Sequence, residues 1–171
     1  MIVPDHEIAK LCRAGLISPF EEYLLNPASL DVRLGDHIRY EAEENGELIL
    51  VDISNKTKEN PYFLYPGEFI LAQTLEVFNV PDDICGQFAL KSSLARAGFE
   101  HLLAGWIDPG FSNSVLTLEL TNARKFSRVP LWPGMRIGQI IWMKMASLPD
   151  VSYRDCGRYN DDRIVTSCKG L

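Results

Sequence analysis

The strongest constraint on this chain is a two-residue alternation of apolar and polar side chains, recurring in short segments cut by turn signals. Ser29-Leu30-Asp31-Val32-Arg33-Leu34-Gly35 alternates as a half-buried strand does, because successive side chains of a strand point to opposite faces. Phe69 to Val80 is strand-rich and stops at Pro81, Ser114 to Thr121 is a further strand, and Ile137 to Met145 is an apolar run after the Pro133-Gly134 turn. Asn45-Gly46 lies between Tyr40-Glu41 and Leu48-Ile49-Leu50-Val51, which is a hairpin signal. Many short strands separated by turns point to a β-barrel or a jelly-roll-like sandwich.

Before the strands, Ile8, Leu11 and Cys12 share one face of a short helix that starts at His6, with Asp5 as its expected cap and Gly15 at its end. Residues 52–62 are mostly polar and read as a loop. Residues 146–171 are also mostly polar, which is compatible with a mobile tail on a single domain spanning residues 1–171.

Composition excludes some classes of function. The net charge is -6, whereas a protein that binds polymeric nucleic acid usually carries a basic face. No apolar run approaches the length of a membrane span, and the N-terminus lacks the basic start and long apolar stretch of a secretion signal, so a cytoplasmic protein is expected. Cys12, Cys85, Cys156 and Cys168 form no C-x-x-C pair and are expected to be reduced thiols.

Three segments carry candidate chemistry. On the strand Ser114–Thr121, Leu116, Leu118 and Leu120 take one face, while Val115, Thr117, Glu119 and Thr121 take the other. A partly desolvated Glu119 would have a raised pKa and suit proton transfer, although on this strand alone a solvent-facing glutamate is the simpler reading. In Lys91-Ser92-Ser93-Leu94-Ala95-Arg96, Ser92 or Ser93 can cap a short helix, and Lys91 and Arg96 add cationic donors suited to phosphate or carboxylate. In Ala104-Gly105-Trp106-Ile107-Asp108-Pro109-Gly110-Phe111, Asp108 precedes a Pro-Gly turn and can accept a hydrogen bond from a sugar hydroxyl. His6, His37 and His101 fall in none of the zinc-deaminase motifs, and the sequence has no Walker A loop and no G-x-S-x-G elbow.

Taken in order, these segments resemble the dCTP deaminase–dUTPase family. The likeness runs from Asn26-Pro27-Ala28-Ser29-Leu30-Asp31-Val32-Arg33-Leu34-Gly35 through Lys91–Arg96, Ala104–Phe111 and Thr117-Leu118-Glu119-Leu120 to Pro133-Gly134-Met135-Arg136-Ile137-Gly138-Gln139, most of the chain. The resemblance implies a distorted, dUTPase-like β-barrel with a short N-terminal helix. It also implies a homotrimer with active sites between subunits, and a deoxynucleoside triphosphate substrate carrying Mg2+, with no metal held by the protein and no zinc. By the same resemblance Glu119 activates the water that attacks cytosine C4. Ser92 and the Ala104 carbonyl hold that water, Arg96 orients Glu119, and Asp108 binds the deoxyribose 3′-hydroxyl. Lys91, Ser93, Tyr153 and Arg158 contact phosphates, and Thr117 contributes to substrate binding. The implied reaction is zinc-independent deamination of dCTP to dUTP. Gly105-Trp106 resembles the members that continue to dUMP and pyrophosphate. A diphosphohydrolase acting on dUTP or a modified dCTP, or a nucleotide-binding regulator, are the competing readings. Two departures from the family pattern stand out: Lys91 replaces an arginine, and Arg158-Tyr159-Asn160-Asp161-Asp162 replaces Lys-Tyr followed by glutamine.

Overall fold

The computed structural model describes residues 1–170. Helix α1 (Asp5–Arg13) is followed by two short strands, β1 (Ile17–Ser18) and β2 (Leu25–Asn26), then by the long strand β3 (Ser29–Glu41), β4 (Leu48–Asp52) and β5 (Tyr62–Leu64). The chain continues through β6 (Phe69–Asn79), β7 (Ile84–Leu90), helix α2 (Ser92–Ala97), β8 (Phe99–Glu100) and β9 (Trp106–Ile107). It ends with β10 (Ser112–Asn122), β11 (Val129–Leu131), β12 (Arg136–Lys144) and the short helix α3 (Tyr153–Cys156). Strands hold 42% of the residues and helices 13%, so the mainly β expectation holds, in the form of a sheet curled into a half-barrel. Among the described residues, no helix is long and apolar enough to cross a membrane.

The large sheet is antiparallel and runs β8-β10-β6-β3-β12-β7-β9, with β1 joined to β6 and with β2 and β4 joined to β3; β5 and β11 form a separate ribbon. The curl follows from β3. Its first half, Leu30 to Arg33, pairs with β12, and its second half, His37 to Glu41, pairs with β4. One strand thus serves two sheet segments and turns the corner between them. The hairpin expected at Asn45-Gly46 joins β3 to β4, with Glu41 opposite Leu48.

The sheet is interrupted where β6 meets its neighbours. Val115 pairs with Val77 and Thr117 with Gln73, so β6 carries extra residues opposite Leu116. A bulge withdraws backbone groups from the ladder, and buried backbone donors need other partners. Side chains on β6 provide them. Thr74 Oγ1 accepts the Leu116 N–H at 2.9 Å and donates to the Glu76 carbonyl at 2.8 Å. The Glu76 carboxylate accepts the Arg33 backbone N–H at 2.8 Å and its guanidinium at 2.7 Å. Gln73 Oε1 accepts the Val165 N–H at 2.7 Å. This explains why a central strand buries Gln73, Thr74 and Glu76.

Several local expectations change. Pro4, not Asp5, occupies the cap position of α1, and no side chain caps it; proline suits this end because its missing N–H would have had no partner there. Gly15 does close the helix: it adopts φ +102, and Leu16 N–H reaches back to the Leu11 carbonyl, as in a Schellman turn. Lys91, not Ser92 or Ser93, stands at the cap of α2, again with no side-chain cap bond. Strand β7 went unread because glycine is depleted in strands. Gly86 is required there: a Cβ would come within 2.9 Å of the ring of Trp142, which is fully buried. The polar segment after β12 lies against the barrel. Val165 is fully buried, and its carbonyl accepts from Arg39 Nε at 2.9 Å. All four cysteines are free thiols, and burial pushes Cys12 up to about 12.

Candidate active site

A cleft of about 530 Å³ opens between β10, the turn after β9 and the C-terminal segment. That volume is in the range of sites that hold small-molecule ligands. Strand β10 contributes Val115, Leu116, Thr117 and Glu119, β6 contributes Phe69 and Leu71, and the turn contributes Trp106, Ile107 and Asp108. Tyr153, Tyr159, Asp162, Thr166, Ser167 and Cys168 form the wall supplied by the tail. Leu116 joins Thr117 and Glu119 on the cleft instead of taking the opposite face with Leu118. The bulge breaks the alternation at that position, where the Leu116 N–H turns to Thr74.

Glu119 is half-buried in this wall, and the loss of water around it raises its carboxyl above the usual 4.5. A hydrogen bond from its own backbone works in the opposite direction and lowers it by less than burial raises it. The turn bearing Asp108 is closed by the Phe111 N–H bonding to the Asp108 carbonyl at 3.2 Å. Trp106 Nε1 donates to Asp108 Oδ1 at 3.0 Å and fixes that carboxylate at the cleft mouth. Tyr153 reaches the same mouth because its N–H bonds to the Pro109 carbonyl at 3.0 Å. Both the Trp106 contact and the Thr166–Cys168 wall escaped the sequence reading, since neither has a local signal.

The other candidates lie elsewhere on the chain. Ser92, Ser93, Arg96, Ala104 and Arg158 are exposed and do not line the cleft that holds Glu119. Arg158 Nη1 donates to the Gly170 carbonyl at 3.0 Å. Lys91 Nζ lies 2.7 and 2.9 Å from the two oxygens of Asp31, a carboxylate only 1% exposed. The burial of Asp31 also went unnoticed. A polar residue between Leu30 and Val32 reads as solvent-facing, yet this stretch of β3 is covered on both faces. In the tail, Asp162 pairs with Lys169 Nζ at 2.8 Å and accepts from Thr166 Oγ1 at 3.2 Å. Among the described residues, no three His, Cys, Asp or Glu side chains gather as metal ligands.

Comparison with known proteins fits this arrangement. The model of the dCTP deaminase-like family matches residues 2–145. A Mycobacterium marinum protein named "dCTP deaminase, dUMP-forming" is 39% identical over 170 residues, covering 92% of this chain and 87% of that one. A Streptomyces avermitilis protein of the same name is 37% identical over 187 residues, covering 100% of this chain and 96% of its own. The 2'-deoxycytidine 5'-triphosphate deaminase of Agrobacterium tumefaciens superposes with a TM-score of 0.68 at 22% identity; the match spans 84% of this chain but only 48% of that longer one. The half-barrel, the cleft carboxylate on β10 and these relatives lead to one assignment: the chain belongs to the dCTP deaminase-like family.

Proposed function

We propose that this protein deaminates dCTP without zinc, and that the dUTP formed is carried on to dUMP and pyrophosphate. The observation that carries the reading is Glu119, a half-buried carboxylate with a raised pKa in the wall of a nucleotide-sized cleft. Relatives 37–39% identical and named "dCTP deaminase, dUMP-forming" support both the substrate and the second step.

Hydrolysis at cytosine C4 needs a water that loses a proton as it attacks and an amine that gains one as it leaves. A single carboxylate whose pKa is raised by burial can do both. Glu119 takes the proton while the water oxygen bonds to C4, then returns it to the amine as the C–N bond breaks and ammonia departs. Asp108, held by Trp106, receives the deoxyribose 3′-hydroxyl, and Thr117 lines the base side of the cleft. The Ser92 hydroxyl and the Ala104 carbonyl hold the water. Arg96 orients Glu119 and offsets charge developing on the base. Lys91, Ser93, Tyr153 and Arg158 meet the phosphates. Mg2+ arrives as part of the substrate, bound to the triphosphate.

Ser92, Ser93, Arg96 and Ala104 lie outside the cleft of their own subunit. The reading therefore includes a homotrimer in which a neighbour's α2 and following loop complete each site. The cell compartment in this reading is the cytoplasm.

Incubating the protein with dCTP, dUTP and Mg2+ while measuring ammonia and pyrophosphate separately tests the proposal. Ammonia from dCTP is expected, and Glu119→Gln should lower its release about 100- to 10,000-fold while dCTP still binds. Pyrophosphate without ammonia would replace the reading with a diphosphohydrolase. Binding without either product would replace it with a regulator.

A further inference from the structure

Two cations and one carboxylate meet where β3, β7 and β12 lie side by side. Lys91 follows the end of β7, and Arg136 begins β12 just before a bulge that interrupts its pairing with β3. Lys91 Nζ sits 2.7 and 2.9 Å from the Asp31 oxygens, and Arg136 Nη1 sits 3.3 Å from Asp31 Oδ2. Asn26 Nδ2 completes the set with a bond of 2.7 Å to Asp31 Oδ1. One negative charge faces two positive ones, so the cluster keeps a net positive charge.

That charge has a definite place. The Lys91 side chain is 24% exposed and is directed onto both oxygens of the carboxylate. Arg136 is 55% exposed, and among the described residues only its Nη1 is engaged, at the long limit of a hydrogen bond. Its Nη2 and Nε donors therefore remain available on the solvent side. The neighbouring Arg33, opposite Arg136 in the ladder, does not share this role, because Glu76 and Glu21 hold it at 2.7 and 3.4 Å.

We infer that Arg136 is a phosphate-binding residue that works with Lys91 on the triphosphate of the substrate. Lysine is a compact point charge, whereas the planar guanidinium can grip two phosphate oxygens at once. Arg136 thus brings to the site the fork that Lys91 lacks. Asp31 holds both cations before the anion arrives, which lowers the entropy lost when the anion orders them. The inference deepens the proposed function and rests on its assignment of Lys91 to the phosphates.

The test compares wild type, Arg136→Gln, Arg136→Lys and the double variant Lys91→Arg/Arg136→Gln. Steady-state deamination of dCTP is paired with calorimetric titration of inorganic tripolyphosphate. Arg136→Gln is expected to raise KM for dCTP about tenfold with kcat within about twofold, and to weaken tripolyphosphate binding in proportion. Inhibition by deoxycytidine, which has no phosphate, should be unchanged. Arg136→Lys should recover part of the loss, and Lys91→Arg should recover more than half of it in the Arg136→Gln background. Unchanged KM and unchanged tripolyphosphate affinity in Arg136→Gln would overturn the inference, as would equal loss of deoxycytidine binding. If wild type released no ammonia yet bound tripolyphosphate more tightly than Arg136→Gln, the deaminase reading would fail while this one stood.

Discussion

Thr74 offers the sharpest check on how the sheet tolerates its bulge. Its side chain is fully buried, accepts the Leu116 N–H at 2.9 Å and donates to the Glu76 carbonyl at 2.8 Å. Thr74→Val keeps the shape and removes both bonds. A buried N–H left without a partner costs about 1–3 kcal/mol, and the lost bond to the carbonyl about 1 kcal/mol more. The methyl that replaces the hydroxyl returns about 0.8 kcal/mol through apolar burial. The net loss is about 1–3 kcal/mol, a fall in Tm of about 2–12 °C for a chain of this size. Urea titration followed by tryptophan fluorescence, at one fixed protein concentration, should show a lower midpoint with an unchanged slope. Thr74→Ser, which keeps the hydroxyl, should cost only about 1 kcal/mol. Either a Val variant within about 0.5 kcal/mol of wild type or a Ser variant worse than Val would refute the argument that the hydroxyl replaces a ladder bond.

Glu119 sets two pH dependences. In the proposed mechanism its base form is the active one, and burial raises its pKa, so the acid limb of kcat/KM should lie above the ordinary 4.5; a limb at or below that value counts against the assignment. The same shift means that the folded state binds more protons than the unfolded state above 4.5. Its contribution to stability is present below 4.5 and is lost as pH rises through the raised folded value. Glu119→Gln lacks that loss, so its urea midpoint relative to wild type should increase from acid to neutral pH, and a decrease would contradict the sign. Val165→Asp should free the tail, which is held at the Val165 N–H and carbonyl by Gln73 and Arg39. Trypsin should then cut after Arg158 or Arg163 at least about tenfold faster, whereas cleavage at the wild-type rate would mean that this anchor is not what holds the segment. Gly86→Ala places a Cβ 2.9 Å from the Trp142 ring and should cost about 1–3 kcal/mol, visible as a lower Tm and a changed near-UV tryptophan signal; a neutral effect would show that the ring can shift.

The ends of the principal strands were legible because a period of two is a local property. Phe69 to Val80 became Phe69–Asn79, and Ile137 to Met145 became Arg136–Lys144. Where tertiary contacts override propensity, the alternation lost its meaning. Gly86 hid β7, although the glycine exists to seat Trp142 from another strand. Leu116 left the face its spacing assigned, because the residues that displace it belong to β6.

By itself the sequence determined a mainly β chain and the order of its long strands, and it singled out Glu119 through the resemblance of its motifs and not through the strand that carries it. It could not determine which polar side chains are buried. Asp31, Thr74 and Glu76 alternate with apolar neighbours as solvent-facing residues do, and only the strands that cover them and the backbone donors that a bulge leaves free put them inside. Nor could it separate Glu119 from Ser92, Ser93 and Arg96, which read as one constellation along the chain. The curl of the sheet leaves the α2 residues outside the cleft that holds Glu119, because position around a half-barrel depends on strand pairing and not on order in the sequence.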